Sequence, residues 1–150
     1  MTIRRARAED ADVLTKIAFA AKRHWSYPES WIHHWQDSLT LSPEYVIQHP
    51  TFVAGVDREV VGFCSVQIEG VEACLDHLWV LPPFMGRGVG RALFQHAEEI
   101  ARSSGAMKMK IVSDPQAERF YTRMGATLCG REPASIDGKE RFLPLLEKTL

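Results

Sequence analysis

The sequence predicts an α/β fold, in which a mixed sheet of about seven mostly antiparallel strands carries four or five helices on both faces. Apolar runs at 52–56, 60–68 and 73–81 are separated by short turns, which is typical of an antiparallel meander. An amphipathic helical pattern over 88–104 separates the third run from a strand at 107–112. Because such crossovers are right-handed and return in the same direction, these last two strands are predicted to form a parallel pair.

A short strand at 3–6 and an amphipathic helix open the chain. Acidic residues at 9–12 mark the beginning of this helix, where the helix dipole favours negative charge. Apolar side chains then follow at helical spacing. The helix is expected to end near Trp25, because Pro28 disfavours helical geometry at the residue before it.

Two shorter helices lead to the meander. The first is predicted from about Glu29 to Leu39, and it places Trp31 and Trp35 four residues apart on one face. The second has Ser42 as its cap and a proline at its first helical position, and it extends to about Gln48.

The C-terminal part of the chain supplies the rest of the sheet. The helix over 88–104 ends at Gly105, a suitable C-terminal cap. Residues 115–124 are predicted to be helical. Thr127 to Gly130 and Arg141 to Lys148 are predicted to form a closing antiparallel hairpin.

The composition is typical of one globular domain over residues 1–150. Hydrophobic residues make up 45% and charged residues 25% of the chain, enough for a core that needs neither disulfides nor metal. A formal net charge of -1 gives no electrostatic basis for nucleic acid or an anionic membrane as the main partner. Since no apolar signal core and no stretch of transmembrane length is found, we expect a cytoplasmic protein.

Three cysteines, Cys64, Cys74 and Cys129, form no close pair in the sequence. Their odd number argues against a disulfide framework and favours a reducing compartment. Each lies among apolar residues, so we expect buried small side chains rather than a catalytic thiol.

A glycine-rich loop, Gly86-Arg87-Gly88-Val89-Gly90, stands between the strand at 73–81 and the following helix. Glycine permits left-handed backbone angles and close approach of a ligand, and a helix start offers unpaired N–H groups to an anion. Arg87 and Arg91 add positive charge, so the loop indicates anion binding rather than a plain turn. A P-loop would need Gly-Lys followed by Ser or Thr, and the dinucleotide fingerprint would need glycine in place of Arg91, so both nucleotide motifs are excluded.

The same loop resembles the signature of the GNAT superfamily of acyl-coenzyme A-dependent N-acyltransferases. That signature is Gln or Arg, two residues, Gly, one residue, and Gly or Ala; here it covers residues 85–90, with Met85 in the first position. A second family motif, Asn-Pro-x-Ala followed by an apolar-Tyr pair and Gly-Phe, is similar to residues 114–126. Asp114 stands there in place of Asn, which leaves a helix cap intact, and Ala126 in place of Phe. The resemblance covers essentially the whole chain.

The resemblance implies that the central parallel strands splay apart and that the pantetheine arm of acetyl-CoA lies in the opening. It implies that backbone amides of the loop and helix start hold the coenzyme A pyrophosphate, and that no metal takes part. Main-chain groups of the strand before the loop are expected to contact the pantetheine and the oxyanion. The residues assigned to the cofactor are Leu78, Trp79, Val80, Met85, Gly86, Arg87, Gly88, Val89, Gly90, Arg91, Asp114, Gln116 and Phe120.

Acyl transfer from a thioester to an amine requires a base for the amine, donors for the oxyanion and an acid for the leaving thiolate. Tyr121 occupies the family's Tyr position and is the candidate acid. For the base, Asp76 is the only carboxylate inside the strand, and His77 is the substitute because its ordinary pKa suits proton transfer near neutrality. Strand alternation predicts one face with Asp76, Leu78 and Val80 and another with His77, Trp79 and Leu81.

Aromatic side chains are concentrated at residues 25–35, a segment that is variable in the GNAT family and commonly forms part of its acceptor site. The alternative is that these rings simply pack the second helix on the sheet. The candidate walls of the acceptor pocket are Trp25, Tyr27, Trp31 and Trp35. Nearby histidines lack the Cys or carboxylate partners of a metal site, so we expect them at the surface: His24, His33 and His34.

These observations predict an N-acetyltransferase that transfers an acetyl group from acetyl-CoA to a primary amine of a small molecule or peptide. The alternative is a catalytically silent acyl-CoA-binding sensor or partner module on the same fold, since Met85 departs from the signature and two bases are candidates. Antibiotic, polyamine, amino acid and protein amino-terminus all remain open as acceptors. Many members of the superfamily are dimers, and a homodimer is one expectation for this chain.

Overall fold

A computed structural model describes residues 1–150. Seven strands form one sheet: β1 (Thr2–Arg5), β2 (Thr51–Val56), β3 (Glu59–Glu69), β4 (Glu72–Val80), β5 (Lys108–Val112), β6 (Thr127–Pro133) and β7 (Phe142–Thr149). Their spatial order is β1-β2-β3-β4-β5-β7-β6. All neighbouring strands are antiparallel except β4 and β5, so the predicted mixed sheet with one parallel pair is confirmed.

The α-helices are α1 (Ala11–Arg23), α2 (Glu29–His34), α3 (Gln36–Leu39), α4 (Pro43–Gln48), α5 (Val89–Ser103) and α6 (Glu118–Arg123). There are six because the helix predicted from Glu29 to Leu39 divides at Trp35, where φ is -88° and ψ is 4°. The division turns the Trp35 ring inward, with the Lys22 ammonium 4.0 Å from its centroid. Three short 3₁₀ helices lie at 8–10, 82–84 and 115–117.

Helices cover both faces of the sheet, as predicted. On one face, Leu14 of α1 and Val46 of α4 are fully buried in a cluster with Phe63 of β3. On the other face, Leu93 of α5 is buried against Val61 and its neighbours. Each amphipathic pattern in the sequence therefore buries its apolar stripe against the central strands.

The packing of α5 on β3 depends on Gly62. A Cβ at this position would lie 2.9 Å from the Trp79 carbonyl oxygen, 3.1 Å from the Leu93 side chain and 3.3 Å from the Val89 side chain. Only glycine leaves room for so close an approach. As a result, the first turn of α5 lies directly against the sheet, and the glycine-rich loop is held beside the end of β4.

The parallel strands diverge after their first residues. β4 pairs with β5 from Glu72 to Leu75, opposite Lys108 to Ile111. Beyond Leu75, β4 is bonded only to β3, while β5 continues its pairing with β7 as far as Val112. The splayed central pair that the family resemblance implied is therefore present.

A β-bulge in the β3–β4 ladder lies at the point of divergence. Val66 is opposite Leu75 and Ser65 is opposite His77, which leaves Asp76 without a partner. The extra residue interrupts the strand alternation. Asp76 and His77 therefore both face the α1 side, and the prediction that they lie on opposite faces was wrong.

The alternation resumes after the bulge. Leu78 and Val80 pack in the cluster under α5, whereas Trp79 packs in the cluster under α1. The main chain of 78–80 thus borders the opening, with side chains directed alternately to the two layers of the fold.

The three cysteines are unpaired, and Cys64 alone is buried. Burial raises the pKa of the Cys64 thiol to about 12. Cys74 is exposed because it alternates with Ala73 and Leu75, which are buried under α5, and so faces the other side of the sheet. Cys129 is exposed on the edge strand β6. The expectation of three buried cysteines was therefore wrong for two of them.

The helices of this fold are too short or too polar to serve as bilayer-spanning segments.

Candidate active site

The diverging ends of β4 and β5 border a cavity of about 670 Å³, which we call the interstrand cleft. Its walls are the end of β4, the loop before α5 and the segment from Val112 to Met124. These elements bring together residues that lie far apart in the sequence. The predicted site residues that line the cleft are Trp25, Asp76, His77, Leu78, Trp79, Val80, Met85, Gly86, Gly88, Gly90, Arg91, Asp114, Gln116, Phe120 and Tyr121.

The glycine-rich loop presents unpaired amides to the cleft. Gly86 and Gly88 have φ values of 75° and 85°, in the left-handed region that favours glycine. Gly88 caps α5, and the first helical hydrogen bond runs from the Ala92 N–H to the Gly88 carbonyl at 3.0 Å. The amides of 89–91 precede that bond and have no acceptor in the helix. Unpaired amides at a helix start are suited to an anion such as a diphosphate.

The third glycine of the loop, Gly90, is required for close packing and not for an unusual backbone conformation. A Cβ on Gly90 would lie 3.3 Å from the Phe120 ring, so glycine lets α5 approach α6 across the cleft. Val89 buries its side chain in the core, which leaves only its main chain for a ligand. The Arg87 guanidinium lies 5.5 Å from the centre of the Phe84 ring, outside the cleft lining.

Three arginines line the cleft. Arg91 was predicted, and Arg119 and Arg123 join it from α6. Because the latter two are four residues apart, they lie on one face of that helix. The four-residue spacing of these two arginines is visible in the sequence. It indicates a phosphate site only once α6 is known to lie opposite the glycine-rich loop. Together the three guanidinium groups offer positive charge to a phosphate-bearing ligand in the cleft.

Tyr121 is buried at the inner wall of the cleft. Its ring packs against Phe94 and Phe120, with centroids 6.0 Å and 5.2 Å away. Burial raises the pKa of the Tyr121 hydroxyl well above its ordinary value, so the phenol keeps its proton at neutral pH. The side chain therefore holds a proton at the cleft wall.

Asp114 forms a buried ion pair that the sequence did not indicate. Its carboxylate accepts from the Lys22 ammonium at 2.5 Å and from the Tyr27 hydroxyl at 2.9 Å. It also accepts from the Gln116 N–H at 2.8 Å, which confirms the predicted helix cap. Burial lowers the pKa of Lys22, and the Asp114 charge opposes that effect. The carboxylate is thus already occupied by this chain's own donors.

The bulge gives Asp76 and His77 distinct hydrogen-bonding states. Asp76 Oδ2 accepts from the Tyr45 hydroxyl and from Gln67 Nε2, whereas Oδ1 makes no hydrogen bond within the chain. His77 Nδ1 accepts from Trp79 Nε1 at 3.0 Å, so the ring lone pair is already used. Burial lowers the pKa of His77, which keeps the imidazole neutral at neutral pH. Of the side-chain acceptors of Asp76 and His77, the one left without a hydrogen bond is therefore Asp76 Oδ1.

A second cavity of about 430 Å³, which we call the side pocket, lies on the α1 side of β4. It shares Asp76, His77 and Trp79 with the interstrand cleft, so the two cavities meet at the bulge. Its other lining residues come from α1, from 35–41 and from α4: Lys22, Trp35, Asp37, Ser38, Leu39, Thr40, Leu41 and Tyr45. Tyr45 was missed by the sequence reasoning, since nothing local links it to a strand thirty residues away.

The aromatic residues at 25–35 divide among three environments. Trp35 lines the side pocket and Trp25 lines the interstrand cleft. Tyr27 and Trp31 line neither cavity; with Trp35 they surround the Arg141 guanidinium, which lies between 5.1 and 5.4 Å from the three ring centres. The histidines among these residues are exposed, as expected: His24, His33 and His34.

The Lys22–Asp114 pair yields a stability prediction. Lys22→Met leaves the Asp114 carboxylate buried without its cation, and we expect the free energy of unfolding to fall by about 3 kcal/mol or more. Urea denaturation measures the change. Adding Asp114→Asn should recover most of the loss, because the amide carries no charge. Arg102→Met, in the exposed Arg102–Glu99 pair, is the matched control and should cost less than about 1 kcal/mol. Equal effects of the two methionine substitutions would contradict this account.

Known proteins resemble the chain in sequence and in fold. It is 35% identical over 95 residues to streptothricin acetyltransferase from Streptomyces lavendulae, a match that covers 59% of this chain and 50% of that enzyme. It is 28% identical over 153 residues to the peptidyl-lysine N-acetyltransferase YjaB from Salmonella typhimurium, covering 97% of this chain and 95% of the relative. The crystal structure of the PaiA N-acetyltransferase from Thermoplasma acidophilum in complex with coenzyme A superimposes with a TM-score of 0.77 at 21% identity, over 99% of this chain and 98% of that one.

The family assignment rests on the greater part of the chain. The model of the acetyltransferase (GNAT) family matches residues 16–126, which include the greater part of α1, the bulged strand β4, the glycine-rich loop and α6. The seven-stranded sheet with its splayed parallel pair has the same architecture as the solved acetyltransferase. The chain therefore belongs to the GNAT acetyltransferase family.

Proposed function

We propose that the protein transfers an acetyl group from acetyl-CoA to a primary amine of a small molecule or peptide. The observation that supports this most strongly is the meeting of two cavities at Asp76, His77 and Trp79. The interstrand cleft suits an extended phosphate-bearing cofactor, and the side pocket offers a separate entrance for the amine. The two reactants would thus approach each other at the bulge, from opposite sides of β4.

The cleft residues fit acetyl-CoA, which supplies the acetyl thioester when bound. The amides of 89–91 and the arginines at 91, 119 and 123 would hold the diphosphate and phosphate groups. The main chain of 78–80 borders the opening and would direct the pantetheine arm. Met85 is at the cleft wall, where the family usually has Gln or Arg, and backbone amides would carry the binding there. The structural relative was crystallised in complex with coenzyme A, which supports coenzyme A as the kind of ligand that this fold binds.

Asp76 would remove a proton from the acceptor amine. Its Oδ1 has no partner within the chain and lies at the meeting point of the two cavities. Tyr45 and Gln67 hold Oδ2, and they fix the orientation of the carboxylate. His77, whose Nδ1 is bonded to Trp79, would support the site as a neutral side chain.

Tyr121 would protonate the departing sulfur. The bond from the acetyl carbon to sulfur breaks and a bond from that carbon to the amine nitrogen forms. The acceptor ammonium first loses one proton to Asp76, which passes it to water; after the attack the nitrogen loses its second proton to the same carboxylate, and the tyrosine proton passes to the thiolate, which gives an amide and a free thiol. Water then returns both side chains to their starting protonation states.

Cofactor binding is the first test. Calorimetric titration of acetyl-CoA should show binding, and Gly86→Ala should weaken it about tenfold, because alanine disfavours a φ of 75° and displaces the loop amides. Gly138→Ala is a matched control, since Gly138 has the same φ, has open space at its Cβ and lies in the β6–β7 connection. This control should bind as the wild type does. Absence of any binding by the folded protein would overturn the proposed function.

The acid is tested by Tyr121→Phe, which removes only the hydroxyl from a buried ring. We expect kcat in a thiol-release assay to fall by about two orders of magnitude, in the range of general acid catalysis, with nearly unchanged affinity for acetyl-CoA. Thermal unfolding checks that the variant remains folded. Unchanged kcat would remove Tyr121 from the mechanism.

The base is tested by Asp76→Asn, which retains an acceptor for Tyr45 but is no longer basic. We expect kcat to fall about 100-fold at neutral pH. The loss in kcat relative to the wild type should become smaller toward higher pH, because the amine, with an ordinary pKa near ~10, then loses its proton without help. His77→Gln is the comparison and should have a smaller effect on kcat at neutral pH. A larger loss in His77→Gln than in Asp76→Asn would assign the base to the histidine instead.

A catalytically silent acyl-CoA-binding module is the second candidate, favoured by Met85 at the signature position. Binding of acetyl-CoA without thiol release for any amine would support it over the enzyme.

A further inference from the structure

The side pocket bears on the chemistry of the acceptor. An amine in this pocket would reach Asp76 from the α1 side of β4, away from α5 and the glycine-rich loop. Its other lining residues would contact the rest of the acceptor. The inference that follows rests on the proposed function, because it concerns the second substrate of the same site.

The pocket lining has one cationic side chain, and that charge is already balanced; the Arg141 guanidinium lies 5.1 Å from the centre of the Trp35 ring but is not part of the lining. The Lys22 ammonium is bonded to Asp114 at 2.5 Å, and only 11% of the lysine side chain is exposed. It also lies 4.0 Å from the centre of the Trp35 ring and 5.9 Å from that of Trp79. Lys22 and Asp114 therefore add little net charge to the space where an acceptor would lie.

Two carboxylates in the lining have no cationic partner. Asp37 is exposed on α3 at the pocket, and its side chain makes neither a hydrogen bond nor an ion pair within the chain. Asp76 receives hydrogen bonds only from the neutral donors of Tyr45 and Gln67. Its other near neighbour, His77, is neutral at neutral pH because burial lowers its pKa. The pocket is thus left with uncompensated negative charge at two places.

Aromatic faces accompany these carboxylates. Trp35, Trp79 and Tyr45 line the same pocket. A cation near an aromatic face is attracted by the ring quadrupole, and more strongly when water is excluded. The Lys22 ammonium over Trp35 shows that this pocket already accommodates a primary ammonium group against one of its rings.

We propose that the acceptor is a diamine or polyamine, with one primary amine that reacts beside Asp76 and a second cationic group that Asp37 and the aromatic rings hold. An acceptor with a carboxylate in place of the second amine would meet two negative side chains and be disfavoured. An acceptor with one amine would leave Asp37 without its partner. Asp37 is thereby assigned as a residue that determines specificity.

A matched series of acceptors tests this directly. The compounds are 1,4-diaminobutane, butylamine and 4-aminobutyrate, which share a four-carbon chain and differ in the group opposite the reacting amine. We expect kcat/KM with acetyl-CoA to be at least about tenfold higher for the diamine than for butylamine, since hydrogen bonds to charged groups are strong enough for such a factor. The value for 4-aminobutyrate should be the lowest. Binding is followed independently through the fluorescence of Trp35 and Trp79.

Asp37→Asn should reduce the ratio of diamine to butylamine kcat/KM to near one. Asp12→Asn is the matched control, because Asp12 is also an exposed carboxylate in the first turn of a helix but lies outside the pocket. The control should keep the wild-type ratio. A wild-type ratio near one, or an unchanged ratio in Asp37→Asn, would overturn the inference and leave the proposed function standing. Failure of acetyl-CoA to bind would instead overturn the proposed function itself.

Discussion

The loss of hydrogen bonding between β4 and β5 beyond Leu75 is the constraint on which the rest of the site depends. Two parallel strands that stayed paired would bury their edges and leave no room between them. Here β4 remains attached to β3 and β5 remains attached to β7, so the opening is held from both sides by intact ladders. The cleft is therefore part of the sheet itself, and it needs no moving loop to form.

The bulge at Asp76 lies at the same point of the sheet. One unpaired residue places two consecutive polar side chains on the same face, at the boundary between the interstrand cleft and the side pocket. Tyr45 then reaches across from α4 and bonds both Ser65 Oγ and the Asp76 carboxylate. A carboxylate beside an apolar strand would otherwise be costly, and these donors stabilise it. The irregular backbone at the bulge thus places the Asp76 carboxylate where these donors fix its orientation.

The Lys22–Asp114 pair joins the two sides of the opening. Lys22 belongs to α1, which packs on β3 and β4, whereas Asp114 follows β5 and caps the turn that leads to Tyr121. A buried ion pair contributes little net stability compared with apolar packing, but breaking one member is costly. The pair is best understood as fixing the distance between the α1 layer and the segment that carries Tyr121. Aspartate in place of the family's usual asparagine supplies the charge that Lys22 requires.

The local patterns determined the fold class, the parallel pair, the glycine-rich loop and Tyr121, because periodicity, turn chemistry and short motifs depend on residues close in the chain. They did not locate the bulge, the division of the aromatic helix at Trp35, the Lys22–Asp114 pair or the place of Tyr45. Each of these depends on contacts between residues that are distant in sequence. Which side Asp76 faces depends on the pairing register with β3, and the partner of Asp114 lies ninety-two residues away. The sequence by itself thus determined the fold class and the family motifs, while only the tertiary structure decided how the side pocket is arranged, because that pocket is assembled from α1, residues 35–41 and α4, which are packed around β4.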